Sequence, residues 1–274
     1  MSQSIPAVSN SSRRIAVQAA RASFLAKLRE HVFINGAGGY VLVWVAFPVI
    51  TLGMLGLLYR SRDPALLGYA VIGITCGAFI SNALYYVGQI LDEERLEGTL
   101  INLFLTPAPR LSWLSGFAFG GLFETLVSAA CTVLLGTVVF GVRFHPNIAA
   151  VVLCFLLFIL ALWGLGFMFS ALGLILKRSN DLANLLSSFV FLLGGIYYPV
   201  SALPVWLRVP ADVLPFGVGI QALAAASLHD ASFGTLAPQL VRLEVFAAVL
   251  PVLGLLTFGW LERKVRRRGD LEIY

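Results

Sequence analysis

The sequence predicts an all-α polytopic membrane protein with six transmembrane helices, an N-terminal interfacial amphipathic helix, and short re-entrant extracellular helices between spans five and six. Three observations carry this expectation. Of 274 residues, 59% are hydrophobic and only 12% are charged, against roughly a quarter charged in soluble domains. Several charge-free runs exceed the ~20 residues that a helix needs to cross a bilayer, and they lack the ten-residue alternation of membrane β-strands. Pro199, Pro204, Pro210 and Pro215 crowd one stretch, which no straight helix accommodates.

Taken in order, residues 1–34 form a Ser/Asn-rich start and then a basic segment. Arg13, Arg14, Arg21, Lys27 and Arg29 stand among Val17, Phe24, Leu28 and Val32. The bulky residues make a rough stripe, which predicts a helix lying on the cytoplasmic leaflet; the plainer alternative is a frayed basic tail. This segment precedes the first long apolar run, so no secretory signal peptide is expected. A single transmembrane domain covers 35–262. Its first span runs from about Tyr40 to Tyr59, with aromatic ends suited to the headgroup region and Pro48 inside it. Arg60, Arg62, Asp63 and Pro64 make a short loop. The second span, about Leu66 to Ile90, carries Ser81, Asn82, Tyr85, Tyr86 and Gln89. The third is expected near 111–140 and the fourth near 148–176, joined through Arg143, Phe144, His145 and Pro146. Asp181 can cap a fifth helix from Leu182 to Tyr198.

Beyond Tyr198 the periodicity breaks, and 199–228 reads as a re-entrant segment of one or two short helices. Non-helical backbone at membrane depth must be buried in protein or line a cavity. The last span is expected at about Val245 to Leu261, followed by a basic tail, 263–274. Six spans put both ends on one side. With the ends inside, 14 Lys and Arg fall on the inner side and 5 on the outer. The positive-inside rule therefore predicts cytoplasmic termini in the cytoplasmic membrane.

The densest mixed charge between the basic ends is Asp92, Glu93, Glu94, Arg95 and Glu97, within a segment spanning 91–110 on the predicted cytoplasmic side. Asp92 can cap a helix there, and Glu93 and Glu94 would sit in its first turn, where the macrodipole favours anions. Leu96, Leu100, Leu103 and Phe104 give one apolar face, and Pro107 and Pro109 end the helix. A solvated loop with a few helical turns is the alternative. Glu94, Glu97, Gly98, Thr99 and Leu100, with Thr106, Pro107 and Arg110, resemble the cytoplasmic loop of the type-2 ABC exporter permeases. These are the membrane subunits of drug, nodulation-factor, polysaccharide and teichoic-acid exporters. Gly194, Gly195, Pro199, Leu203, Pro204, Trp206, Leu214 and Pro215 resemble that family's stretch after the fifth helix.

The resemblance implies that residues from Asp92 to Leu100, with Leu103, contact an ATPase. It also implies that Tyr198, Pro199, Pro204 and Pro215 shape a re-entrant segment. The implied partners are two ATP-binding cassette ATPase subunits, a second permease copy (identical or homologous) and membrane lipid. ATP and Mg would belong to the ATPase, with no cofactor on this chain. The cargo implied is an amphipathic, lipid-like or glycoconjugate substrate, or a drug.

The sequence offers little chemistry of its own. It has no Gly-x-x-x-x-Gly-Lys-Ser/Thr phosphate loop and no His/Glu metal pattern. Cys76, Cys131 and Cys154 lie in apolar runs without disulfide or metal spacing. No catalytic residue and no nucleic-acid partner are expected, because the basic residues cluster beside the spans. Glu124 is the acid expected deep in a span. It is a candidate substrate or proton site, a dimer-interface hydrogen bond or a polar lining, or else a structural glutamate held by neighbours. Asn82, Tyr85 and Phe191 are the other candidate path residues, with interhelical hydrogen bonding the alternative for Asn82. A secondary transporter or channel would need inverted repeats or several intramembrane charges. An intramembrane enzyme would need clustered polar residues.

Overall fold

The computed structural model describes residues 7–34, 39, 46–60, 64–99, 105, 110–173 and 179–268. Among them no strand occurs. The helices are α1 (Ala7–Ile34), α2 (Phe47–Arg60), α3 (Pro64–Ser81), α4 (Ile90–Leu96), α5 (Arg110–Val138), α6 (Ile148–Gly173), α7 (Ser179–Leu193), α8 (Val205–Val213), α9 (Pro215–Leu228) and α10 (Phe233–Arg268). A π-turn, Asn82–Val87, continues α3, and a single 3₁₀ turn, Val200–Ala202, precedes α8.

Among the described residues four helices are long and apolar enough to cross a bilayer: Leu66–Val87, Ser112–Val138, Ile148–Leu172 and Phe233–Lys264. Three shorter apolar helices, Pro48–Tyr59, Asp181–Leu193 and Pro215–Leu228, complete the apolar set. α5 and α6 match the expected third and fourth spans. Residues 40–45 of predicted span one, and 174–178 at the end of predicted span four and just beyond it, lie outside the described residues. α10 differs from its prediction. It starts at Phe233 rather than near Val245, so it takes in Arg242 and Glu244, both exposed. A helix carries such charges on its outer face without breaking its backbone bonds.

Bulky side chains and small ones divide the work of packing. Cys154, Phe158 and Leu162 of α6 meet Ile80 and Leu84 of the second span, Ile220 and Leu223 of α9, and Leu236 and Leu243 of α10 in one core. Lower down, α6 and α10 touch backbone to backbone. A Cβ on Gly254 would lie 2.5 Å from the Gly164 carbonyl, and Gly164 faces the Leu250–Pro251 peptide. Small residues allow this approach in membranes, where apolar side chains gain little by leaving lipid.

The short α7 and α9 divide the length of α3 between them. Near the start of α3, Gly68 packs against Leu228 at the end of α9. Gly73 and Gly77 receive Ile196, which is fully buried. The π-turn meets Asn184 and Ser187 near the start of α7. Sequence periodicity suggested a helix to Tyr198. Instead α7 stops at Leu193, and Gly195 adopts φ 71°, which turns the chain so that Ile196 can enter the α3 groove. Ile196 thus meets α3 9 to 13 residues after Pro64, about 14 Å or more from that end of the helix.

The two ends of the bundle are distinct. At one, Ile90 and Leu91 of α4 cluster with Trp113 and Leu114 of α5, Ala171 of α6, and Phe258 and Leu261 of α10. At the other, the α5–α6 loop is stitched to the end of α9. His145 N–H donates to Ser227 O (3.1 Å), Asn147 N–H to Ala226 O (3.0 Å) and Asp230 N–H to His145 O (2.9 Å). The α4 end also holds α1, whose Ala20 and Ser23 face Gly116 on α5. Small residues dock α1, while Val17 from the predicted bulky stripe is 67% exposed. Ile15 and Leu25 of α1 are exposed as well, whereas Phe24 of the stripe is half-buried.

Candidate docking helix and polar core

α4 is closed at both ends by the chain itself. Gln89 occupies the N-cap, and its carbonyl accepts from the N–H groups of Asp92 (2.9 Å) and Glu93 (3.0 Å). Asp92 was expected as the cap. It lies in the first turn instead, because the chain is already helical from Ile90. It pairs with Arg95 at 3.2 Å. At the far end, Gly98 N–H donates to Arg95 O (3.1 Å) and Thr99 N–H to Glu94 O (2.9 Å), the paired bonds of a Schellman cap. Gly98 has φ 71°, the left-handed conformation that glycine adopts without strain. The Thr99 hydroxyl donates to the Glu94 carboxylate and to the Glu94 carbonyl at 3.2 Å.

The predicted helix from Asp92 to Leu105 therefore ends at Leu96. Leu100 and Leu103 lie outside the described residues. A Cβ on Gly98 would meet nothing of this chain within 4 Å, so within this chain it is the backbone angle that calls for glycine. Glu93, Leu96, Glu97 and Gly98 are exposed, Leu96 at 84%. Directly beneath them, Ile90 and Leu91 are buried at 3% and 0%. One short helix thus joins an apolar root to a protruding face.

The four candidate path residues separate into two pairs on different sides of the second span. Asn82 is buried and faces α5, where a Cβ on Gly121 would lie 2.5 Å from its Nδ2. Glu124 is one turn further along α5 and is also buried. Tyr85 faces α7, where its hydroxyl donates to Asn184 Oδ1 (2.8 Å) and lies 2.7 Å from Ser187 Oγ. Phe191 is on α7 too, 3.6 Å from where a Gly77 Cβ would be and with its ring 6.0 Å from that of Tyr197.

Glu124 belongs to a buried polar stripe missed in the sequence. Thr125, Ser128 and Thr132 are buried on the same helix. The Thr125 and Thr132 hydroxyls donate back to Gly121 O (2.8 Å) and Ser128 O (2.9 Å). The i, i+4, i+8 recurrence of Glu124, Ser128 and Thr132 was the legible signal. Hydroxyls satisfied by their own helix need no partner across the bundle.

The proline-rich segment is ordered by its prolines. Pro199 and Pro204 immediately precede the 3₁₀ turn and α8, and Pro215 is the first residue of α9. Proline suits helix starts, where its missing N–H costs no internal bond. Tyr198 donates to Leu192 O at 2.7 Å, and Arg208 donates to Leu203 O (2.7 Å) and Ser201 O (2.5 Å). α9 is buried over most of its length, whereas Val205, Trp206 and Val209 of α8 are exposed.

The family profile described as ABC-2 type transporter matches residues 29–228. The chain belongs to this family. Among curated proteins none matches it. The match takes in the helices from α2 to α9, including α4 and the proline-rich segment, and leaves α10 outside. The protein is accordingly an ABC-type transport permease and a multi-pass membrane protein. Permeases of this family normally pair with ATP-binding cassette subunits.

Proposed function

We propose that this ABC-2 permease is the membrane half of an ATP-driven exporter. Two ATPase subunits dock on α4 and the residues that follow it, and ATP and Mg bind to those subunits. A second permease copy completes the path, and six passes place both termini on the cytoplasmic side. The cargo class is an amphipathic, lipid-like or glycoconjugate molecule, or a drug. The observation carrying this reading is the build of α4: capped at both ends, rooted by Ile90 and Leu91, and protruding through Leu96 and Glu97. Because the root shares a cluster with Trp113, Leu114, Ala171, Phe258 and Leu261, a push on α4 moves three spans together. A flexible loop would absorb the same push.

Purification through a tag on this chain tests the reading. An ATPase should co-purify, and Glu97→Ala should weaken its hold while the permease reaches the membrane normally. Removing one partner of a buried charge pair across such an interface costs roughly 2 to 5 kcal/mol, and removing a rim charge far less. ATP hydrolysis by the isolated chain, or normal assembly and transport in Glu97→Ala and Leu96→Ala together, would overturn it.

The buried stripe at Glu124 favours a second reading, a secondary transporter using that carboxyl. Glu124→Gln discriminates between the two. ATP-dependent export that survives this change supports the exporter, and export driven by a proton gradient and abolished by the change supports the alternative.

A further inference from the structure

Three features of the second span coincide within six residues. The backbone over Asn82–Val87 is a π-turn, an arrangement found mostly as single turns at functional sites. Within that turn, Tyr85 reaches across to α7 through Asn184 and Ser187. Asn82 is 2% exposed, and among the described residues its Nδ2 has no hydrogen-bond partner. The turn stands directly before Gly88 and Gln89, the residues that lead into the docking helix.

We infer that the π-turn is a hinge between the docking helix and α7, and that the Tyr85 hydroxyl is the positioning group that latches it. The inference rests on the ATPase docking proposed above. A π-turn holds one more residue per turn than an α-helix. Its relaxation to α would rotate the residues on one side by about 100° relative to the other. That rotation withdraws Tyr85 from Asn184 and Ser187 and swings Asn82 away from Gly121. The present arrangement leaves a buried amide donor unsatisfied, a cost that an arrangement giving it a partner would recover. α7 is the element free to respond. Leu185, Phe189 and Leu192 on one of its faces are exposed. It meets the second span through the Tyr85 contact near its start and, toward its end, through Phe191 at Gly77 and the following Ile196 in the Gly73–Gly77 groove. With the latch released, α7 pivots about the buried Ile196.

Hydrogen exchange of α7, read by mass spectrometry on the full chain in lipid nanodiscs, tests the latch without any ATPase. Tyr85→Phe keeps the ring and removes only the hydroxyl. It is expected to speed exchange in Ser179–Leu193 on the order of fivefold, the equilibrium weight of about one net hydrogen bond. Exchange in α10 and the melting temperature should stay as in the parent. Ser187→Ala with Asn184→Ala should do the same, and adding Tyr85→Phe to that pair should change nothing further, since contacting partners are not additive. Exchange in Tyr85→Phe equal to that of the parent, or full additivity, overturns the latch.

The coupling role is read in the complex with its co-purified ATPase, trapped with ATP, Mg and orthovanadate. Trapping should speed α7 exchange in the parent and have no further effect in Tyr85→Phe. Asn82→Leu, which removes the unsatisfied donor, should keep α7 slow when trapped. If the single chain behaves as expected but trapping changes nothing in the parent, the ATPase reading fails and the coupling role with it. If trapping acts equally on parent and Tyr85→Phe, the ATPase reading stands and the latch is overturned.

Discussion

Among the described residues the chain leaves a helix through a left-handed glycine at Gly98, Gly141 and Gly195, and the departures at Gly98 and Gly195 have opposite surroundings. At Gly98 and at Gly195 φ is 71°. A Cβ on Gly98 would meet nothing within 4 Å, whereas one on Gly195 would meet Val200 at 2.9 Å and the Tyr69 hydroxyl at 3.2 Å. After Gly195 the chain sinks into the bundle, with Ile196 in the α3 groove and α9 buried behind it. Around Gly98 the chain stands clear of the bundle, with Leu96 and Glu97 exposed. The same backbone device therefore serves two purposes. In one place it seats a loop in the protein's own core, and in the other it finishes a helix that presents a face outward. A change at the first should be read as stability, and a change at the second as assembly with a partner.

Changes at five positions sharpen or break that contrast. The largest effect is expected for Gly73→Leu, because a Cβ at Gly73 collides with the Ile196 carbonyl, and main chain on both sides cannot easily give way. Overpacking of this kind costs roughly 3 kcal/mol or more. Thermal unfolding of the purified permease should drop sharply, and little protein should reach the membrane. A Gly73→Leu protein that melts like the parent would mean the groove is not tightly filled.

Gly98→Leu comes next. Space is ample, but a side chain in the left-handed region costs about 1 to 3 kcal/mol locally. The melting temperature of the bundle should hold while ATPase co-purification falls, and Gly98→Asn should be milder, since Asn tolerates that region better. A global loss of stability would make α4 part of the core rather than a projecting element.

Thr99→Val and Glu94→Ala follow, each removing one side of the same contact at the α4 terminus. Each should cost about 1 kcal/mol of local order, seen as faster exchange at Glu97–Thr99. The double change should add little beyond either alone. Strong additivity would show that Glu94 acts on the ATPase rather than on Thr99. The smallest effect on the permease itself is expected for Leu96→Ala. It lies on the surface, so stability should move by no more than about 0.5 kcal/mol, with the loss appearing only in ATPase binding.

Much of this was readable from local pattern. The long apolar runs mark α5 and α6 because a helix in lipid satisfies its backbone internally wherever it lies. The prolines at 199, 204 and 215 mark helix starts, since a proline lacks the N–H that the first turn does not use. The acidic cluster at 92–97 marks a polar break between apolar runs, and the break is where α4 lies. Asp92 could not be told from Gln89 as the cap, because a one-turn shift leaves the charge pattern almost unchanged. The start of α10 at Phe233, ahead of the expected Val245, was not legible, because composition does not reveal which face of a helix meets protein.

The sequence by itself determined that the chain is helical, that it passes repeatedly through a membrane, and that a charged helix interrupts the spans, because these follow from hydrophobicity and backbone satisfaction residue by residue. Only the tertiary structure decided that α7 stops at Leu193, that Ile196 fills the space left by two glycines of α3, and that Tyr85 and Asn82 face different helices. Those outcomes depend on which surfaces come within a few ångströms of each other, and residues as far apart in the chain as Gly73 and Ile196 carry no record of that meeting in their local pattern.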